Sequence, residues 1–207
     1  MIREDKSDMT LREALLTTEA QLCEAGIEEA PVEAQWILAE VLSMKRFELF
    51  LSRTKELTVK ESHRLDKIIK RRQRREPLAY IIGSTDFRGH TIRVSRDTLI
   101  PRPETELLVD EALALLRNGT GTQRVLEPCT GSGCVSVALA SEFEGVEIIA
   151  IDISAGALTL ARENAICNNV GKKIDFIRGD LLSPVKEGTD FDLIAANPPY
   201  IPDLEME

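Results

Sequence analysis

Aromatic side chains make up only 4% of the 207 residues, histidine occurs twice, and no apolar run is long enough to span a bilayer. Few large rings argue against a β-sandwich core; the abundant Leu, Ile, Val and Ala suit helices packed on a parallel sheet. A membrane crossing takes roughly 20 apolar residues, and the start Met1-Ile2-Arg3-Glu4-Asp5-Lys6 has no signal-peptide core. No membrane association is expected, and the chain reads as cytoplasmic. The four cysteines (Cys23, Cys129, Cys134, Cys167) form no CxxC pair, and with only His63 and His90 beside them no metal site is expected. The thiols are expected to be free and packed as small apolar groups.

Positive charge is also scarce where catalysis is expected. Residues 1–76 hold 15 Lys+Arg against 15 Asp+Glu, whereas residues 77–207 hold 11 against 20 and so carry the whole net charge of −9. An acidic half repels a phosphate backbone, so no stable nucleic-acid binding is expected. The one strongly basic stretch, residues 70–75, is read either as a solvated helix end, where the macrodipole favours cations, or as a partner-binding patch.

Two domains joined by a linker are expected. Residues 1–76 read as helices: Thr10 with Glu13 and Thr58 with Glu61 have capping-box spacing, and Pro31 opens a helix through Trp36, Ile37, Leu38 and Val41. Residues 77–98 read as a linker with a β-hairpin, strands over 84–88 and 91–94 flanking Gly89-His90. Residues 99–207 alternate strand and helix. Strands are expected over 124–127, 146–151, 174–178 and 191–196, with helices over 134–143 and from Ser154 to about Cys167. That order predicts an open parallel sheet whose ligand crevice lies beyond the carboxyl ends of its strands, where Glu127, Gly131, Asp152, Asp180 and Asn197 all fall.

Asn197-Pro198-Pro199-Tyr200, at the end of the last apolar run, suggests a site for a planar NH2 group. An Asn side-chain oxygen and the following carbonyl are two acceptors, the prolines fix φ near −65°, and the tyrosine ring offers a flat face. Upstream, Gly131 and Gly133 allow close backbone approach to a ligand. Asp152, 21 residues after Gly131 at a strand tip, is placed to hold ribose hydroxyls, which fits any adenosine cofactor. The residues after Gly133 are Cys134, Val135 and Ser136, so the third glycine of a dinucleotide fingerprint is lacking. Glu127 at the loop entrance disfavours phosphate and suits an ammonium or ordered water.

These residues together with Ile100-Pro101-Arg102-Pro103-Glu104-Thr105-Glu106 and the loop Thr130-Gly131-Ser132-Gly133, behind a helical N-terminal domain, resemble the HemK/PrmC family over nearly the whole chain. The resemblance implies a Rossmann-like class I methyltransferase sheet, preceded by an all-α substrate-recognition domain and a short β-hairpin linker. It implies S-adenosylmethionine as cofactor and, as activity, methylation of the side-chain amide nitrogen of the glutamine in the Gly-Gly-Gln motif of peptide-chain release factors, which would be the protein partners. Carried over, Glu127, Thr130, Gly131 and Gly133 would border the methionine end of the cofactor, Asp152 its ribose, and Asp180 with Leu181 its adenine. Asn197, Pro198, Pro199 and Tyr200 would hold the glutamine amide, with Asn197 also beside the cofactor. Asp180 reads equally as a turn cap, and Leu181 as core.

Two departures stand out. The family pattern Asp-x-Gly-Thr-Gly-Ser-Gly is here Glu127-Pro128-Cys129-Thr130-Gly131-Ser132-Gly133, so Cys129 replaces a glycine and is strained if φ is positive. A nucleophilic Cys129 is the alternative. The chain also ends at Glu207, before the further strands such a sheet normally has, so the sheet is expected to be incomplete, with an apolar edge along 191–196, and the full protein to be longer. The competing readings are a methyltransferase of a nucleic-acid base amine, which the same Asn-Pro-Pro-Tyr loop serves after base flipping, and a partner-binding fragment without enzymatic activity.

Overall fold

The computed structural model describes residues 6–199, and their contacts separate into two units that meet at Ile82 and Gly83. The first unit is a helical bundle: α1 (Leu11–Glu24), α2 (Ala30–Leu42), α3 (Arg46–Leu51), α4 (Val59–Gln73) and α5 (Leu78–Ile82). Thr10 and Thr58 each cap a helix reciprocally with Glu13 and Glu61, which satisfies amide groups that a helix start leaves without an intrahelical partner. Leu22, Ala34, Ile37, Leu38, Leu65 and Ile69 form the bundle core. Full burial of a Leu or Ile contributes about 1.5–3 kcal/mol.

Two features of this unit were not legible in the periodicity. A short antiparallel pair, β1 (Lys6–Thr10) with β2 (Glu56–Thr58), joins the segments leading into α1 and α4. The basic end of α4 is largely paired within the unit: Arg71 forks onto Glu76, Arg72 onto Glu33, and Arg75 donates to the carbonyl of Gly26. The Arg72–Glu33 pair is 15% exposed on both sides, so Arg72 serves the bundle, whereas the Arg71 side chain remains 45% exposed.

The segment expected as a linker over 77–98 is divided between the units. α5 belongs to the bundle, while the hairpin β3 (Ser84–Phe87) and β4 (His90–Arg93) belongs to the second unit. Phe87, Ile92 and Val94 are buried there. Arg88 clamps the hairpin with a two-pronged bond to Glu142 and an ion pair to Asp110. The Glu142 carboxyl is held below the usual range, chiefly by that guanidinium.

The rest of the second unit is α6 (Pro103–Leu116), β5 (Gln123–Pro128), α7 (Cys134–Glu142), β6 (Val146–Asp152), α8 (Ala155–Cys167), β7 (Ile174–Arg178) and β8 (Leu193–Ile194). Its four strands are parallel, in the spatial order β7-β6-β5-β8. From β5 the chain steps outward to β6 and β7, then returns to the other side of β5. The reversal puts a switch point at the carboxyl end of β5, where open α/β sheets bind ligands.

β8 is shorter than the expected 191–196. At its start the Arg124 amide donates to the Asp192 side chain in place of a main-chain carbonyl, and beyond Ala195, whose amide still reaches Leu126, the prolines have no N–H to give. β8 is the edge of the described sheet, and Ile194 is 55% exposed. All four cysteines are free, but of these only Cys134 is buried; Cys23 and Cys167 are exposed, against the expectation of packed thiols.

Candidate active site

At the carboxyl end of β5 a buried carboxylate organises the glycine loop. Glu127 is 3% exposed, and its Oε2 accepts from Thr130 Oγ1 at 2.8 Å, from the Ser136 amide at 3.1 Å and from the Ser136 hydroxyl. Thr130 is tied in turn to β6 through its amide and the Ile151 carbonyl, at 2.9 Å. Glu127 therefore anchors the loop to the first turn of α7. Ser136 is a member of this cluster that the sequence reading missed, since only the lack of glycine was noted there.

Burial pushes the Glu127 carboxyl up to about 7, although the Ser136 and Thr130 bonds act to lower it. An unfolded carboxyl titrates near 4.5. Between these values the folded state holds a proton that the unfolded chain has lost, so stability falls as pH rises from 4.5 to 7 and levels off above. The loss is about 3 kcal/mol. Urea unfolding at pH 5 and pH 8 is expected to show this decline in the native protein and its absence in Glu127→Gln; parallel curves for the two would refute it.

The second strand tip carries Asp152. Its Oδ2 accepts from the Gly131 amide at 2.8 Å and its Oδ1 from the Ser154 amide at 2.9 Å. A carboxylate offers about four acceptor sites, so both oxygens keep capacity for hydroxyl donors. Gly131 has φ +56°, and a Cβ built on it would meet no atom within 4 Å, so its missing side chain faces open space. The two glycines differ here. Gly133, the N-cap of α7, has φ +75°, and a Cβ there would lie 2.9 Å from the Ala161 Cβ on α8. Gly133 is thus required by close helix packing, whereas Gly131 opens on empty space.

Cys129 has φ +60°, the left-handed conformation that was in question. Such a residue costs about 1–3 kcal/mol relative to an unstrained one. Its thiol is shifted upward, first by burial and then by the charges of Asp152, Asp180 and Glu127. A thiolate is disfavoured in that setting, which weighs against the nucleophile reading. Asp180 and Leu181 follow β7 in a turn in which the Asp180 amide donates to Ser183 Oγ and the Ser183 amide to the Asp180 carbonyl. Leu181 is 53% exposed with φ +47°, so it is not core.

Asn164 is a second residue that sequence reasoning overlooked. Fully buried on α8, it accepts from the Arg93 amide and donates to the carbonyls of Arg93 and Ser132, at 2.8–3.0 Å. One side chain thus stitches the hairpin to the glycine loop. Asn164→Ala leaves three main-chain groups without their partner, each costing roughly 1 kcal/mol or more. A loss of about 3–4 kcal/mol in urea unfolding is expected; a change below about 1 kcal/mol would show that water replaces the amide.

Asn197 sits three residues past Ile194, which pairs with Leu126 on β5, so it falls at the same end of the sheet as Glu127 and the glycine loop. It is partly buried, and its Nδ2 donates to Thr105 Oγ1 at 3.1 Å. Pro198 and Pro199 are exposed just beyond it. Tyr200 lies outside the described residues. Among the described residues no cluster of His, Cys, Asp and Glu could hold a metal ion, and no helix is long and apolar enough to cross a membrane.

A parallel sheet reversing at β5, a glycine loop there and an acidic residue at the next strand tip fit an adenosine-bearing cofactor, as in S-adenosylmethionine-dependent methyltransferases of class I. The comparisons agree: residues 13–83 match the model of the PrmC N-terminal domain, and residues 104–207 that of the methyltransferase small domain. The chain is 37% identical over 198 residues to the release factor glutamine methyltransferase of Geobacter sulfurreducens, covering 96% of this chain and 68% of the relative. Against the enzyme of that name from Chlorobaculum tepidum it is 37% identical over 200 residues, covering 93% and 68%. A solved ribosomal protein L11 methylase from Lactobacillus delbrueckii subsp. bulgaricus is 30% identical over 51% of each chain, with a TM-score of 0.40. The chain belongs to the release factor glutamine methyltransferase family.

Proposed function

We propose that this chain transfers a methyl group from S-adenosylmethionine to the side-chain amide nitrogen of a release-factor glutamine, that of the Gly-Gly-Gln motif. Membership of the family supports the activity. The observation that carries the mechanism is the Asn197 amide, held by Thr105 at the carboxyl end of the sheet on which Glu127 and Asp152 also stand.

The residues present fit the cofactor. Gly131 leaves an open side at the loop and Asp152 retains acceptor capacity for two ribose hydroxyls, while Glu127, buried behind the loop, holds Thr130 and Ser136 in place. When bound, S-adenosylmethionine supplies an electrophilic methyl group on a sulfonium. Thr130 and Gly133 shape the loop around the methionine end, while Asp180 and Leu181, exposed after β7, flank the adenine.

An amide nitrogen is a weak nucleophile because its lone pair is delocalised into the carbonyl. Asn197 Oδ1 and the Pro198 carbonyl accept its two N–H bonds, which pushes electron density onto nitrogen and aims it at the methyl carbon, with the Tyr200 ring as a flat support. Positive charge growing on nitrogen meets fixed dipoles that need no reorganisation. Positioning of this kind lowers barriers by up to ~7–11 kcal/mol. Asp152 and the loop at Gly131 would hold the donor of the methyl group, and the amide nitrogen held by Asn197 and Pro198 would release its surplus proton to solvent.

The helical unit, residues 1–82, serves as the docking domain for the release factor, and the protein acts in the cytoplasm without stable binding to nucleic acid or membrane. Supporting this are the acidic second half and the internal pairing of Arg72. Transfer of labelled methyl to a release factor, set against transfer to DNA or RNA, tests the substrate class. Label on nucleic acid alone would replace this reading by base methylation.

A further inference from the structure

Thr105 belongs to the Ile100–Glu106 segment, to which the sequence reading gave no chemical task, and it lies 92 residues from Asn197 in the chain. It is only 6% exposed, in the first turn of α6, which Pro103 opens and whose deeper face carries buried Val109, Ala112 and Leu113. A hydroxyl out of water needs a partner, and a valine of the same shape would fill the volume without that need. The Thr105 amide already closes onto the Arg102 carbonyl at 2.9 Å, so the hydroxyl is not needed to cap the helix. What the hydroxyl does is accept the Asn197 Nδ2–H at 3.1 Å.

We propose that Thr105 is a positioning residue for amide methylation: its hydroxyl takes one N–H of Asn197 and so fixes the rotation of that carboxamide, leaving Oδ1 turned to the substrate as acceptor. The proposal rests on the methyl-transfer reading above. An Asn side chain presents an acceptor on one side and a donor on the other, and rotation by half a turn would offer a donor to a substrate that is itself a donor. Such a mismatch removes the attraction and adds a repulsion. A partner on the Nδ2 side therefore selects the productive orientation, and α6, rigid and anchored by its buried face, is a better carrier for that partner than the proline loop itself.

The test compares Thr105→Val, which keeps the shape and removes the acceptor, with Thr105→Ser, which keeps the acceptor. Side-chain amide spectra of the 15N-asparagine-labelled chain report the bond without any turnover: Thr105→Val is expected to shift the Asn197 NH2 pair and speed its hydrogen exchange, whereas Thr105→Ser leaves both near native. In methyl transfer to a release factor, Thr105→Val is expected to lower kcat about 10-fold with cofactor affinity unchanged, as for one lost hydrogen bond, and Thr105→Ser to restore it. In an Asn197→Ala background Thr105→Val should cost nothing further. Unmoved Asn197 resonances in Thr105→Val, or an equal loss of kcat in the Asn197→Ala background, would overturn the proposal while the native chain still methylates. A native chain that binds cofactor and transfers no methyl, with the Asn197 resonances behaving as expected, would instead overturn the methyl-transfer reading.

Discussion

Asn197→Ala is expected to lower kcat by about 10²–10³-fold, the usual cost of removing one preorganised group that meets charge growing in the transition state. The loss falls on turnover because the acceptor matters most when the amide nitrogen is becoming positive. An interaction stronger in the transition state than in the ground state raises kcat and leaves binding nearly alone. Cofactor affinity should hardly change, since Asp152 and the loop around Gly131 keep their own bonds. Fold stability should change little as well, because Asn197 is only partly buried at a strand end, where its Nδ2 bonds to Thr105 at 3.1 Å. Calorimetric affinity beside a methyl-transfer assay separates the two effects, and turnover within twofold of native would take Asn197 out of the chemistry.

Asp152→Ala is expected to act on the other quantity. A carboxylate that takes two ribose hydroxyls contributes about 1.5–3 kcal/mol per charged hydrogen bond, part of it offset by desolvation, so cofactor affinity should fall about 30–100-fold. The substitution also frees the amides of Gly131 and Ser154, which the carboxylate holds at 2.8 and 2.9 Å. The loop then keeps the Thr130–Ile151 bond to β6 and loses the one at Gly131, just where a ligand needs it rigid. Asp152→Asn retains an acceptor for one of those amides and should lose less. At saturating cofactor, kcat in Asp152→Ala should recover toward native, the reverse of the pattern at Asn197. An unaltered cofactor dissociation constant would show that Asp152 serves the loop alone.

Much of this architecture was legible because it is local. Capping boxes at Thr10 and Thr58, the proline start of α2, and the strands β5 to β7 each follow from side chains within a few residues. What stayed hidden depends on partners far apart in sequence. Asn164 reads as an ordinary helix residue until the fold brings Arg93 and Ser132 to it. Thr105 reads as helix surface until Asn197 arrives from the far end of the sheet. Spacing cannot tell that a side chain at Gly133 would meet the Ala161 methyl. The basic run 70–75 was ambiguous for the same reason, since the partners of Arg72 and Arg75, Glu33 on α2 and Gly26 after α1, come from distant parts of the chain. Cys129 is the reverse case: a non-glycine residue in a glycine position raised the question of a positive φ from sequence alone, and φ is +60°.

The most direct test is mass spectrometry of a release factor incubated with this chain and S-adenosylmethionine, mapping the added mass to a residue. One methyl on the glutamine of the Gly-Gly-Gln motif, absent when Asn197→Ala replaces the native chain, is the predicted result. A native chain that leaves that glutamine unmodified at saturating cofactor, or an Asn197→Ala chain that modifies it at the native rate, would contradict the account.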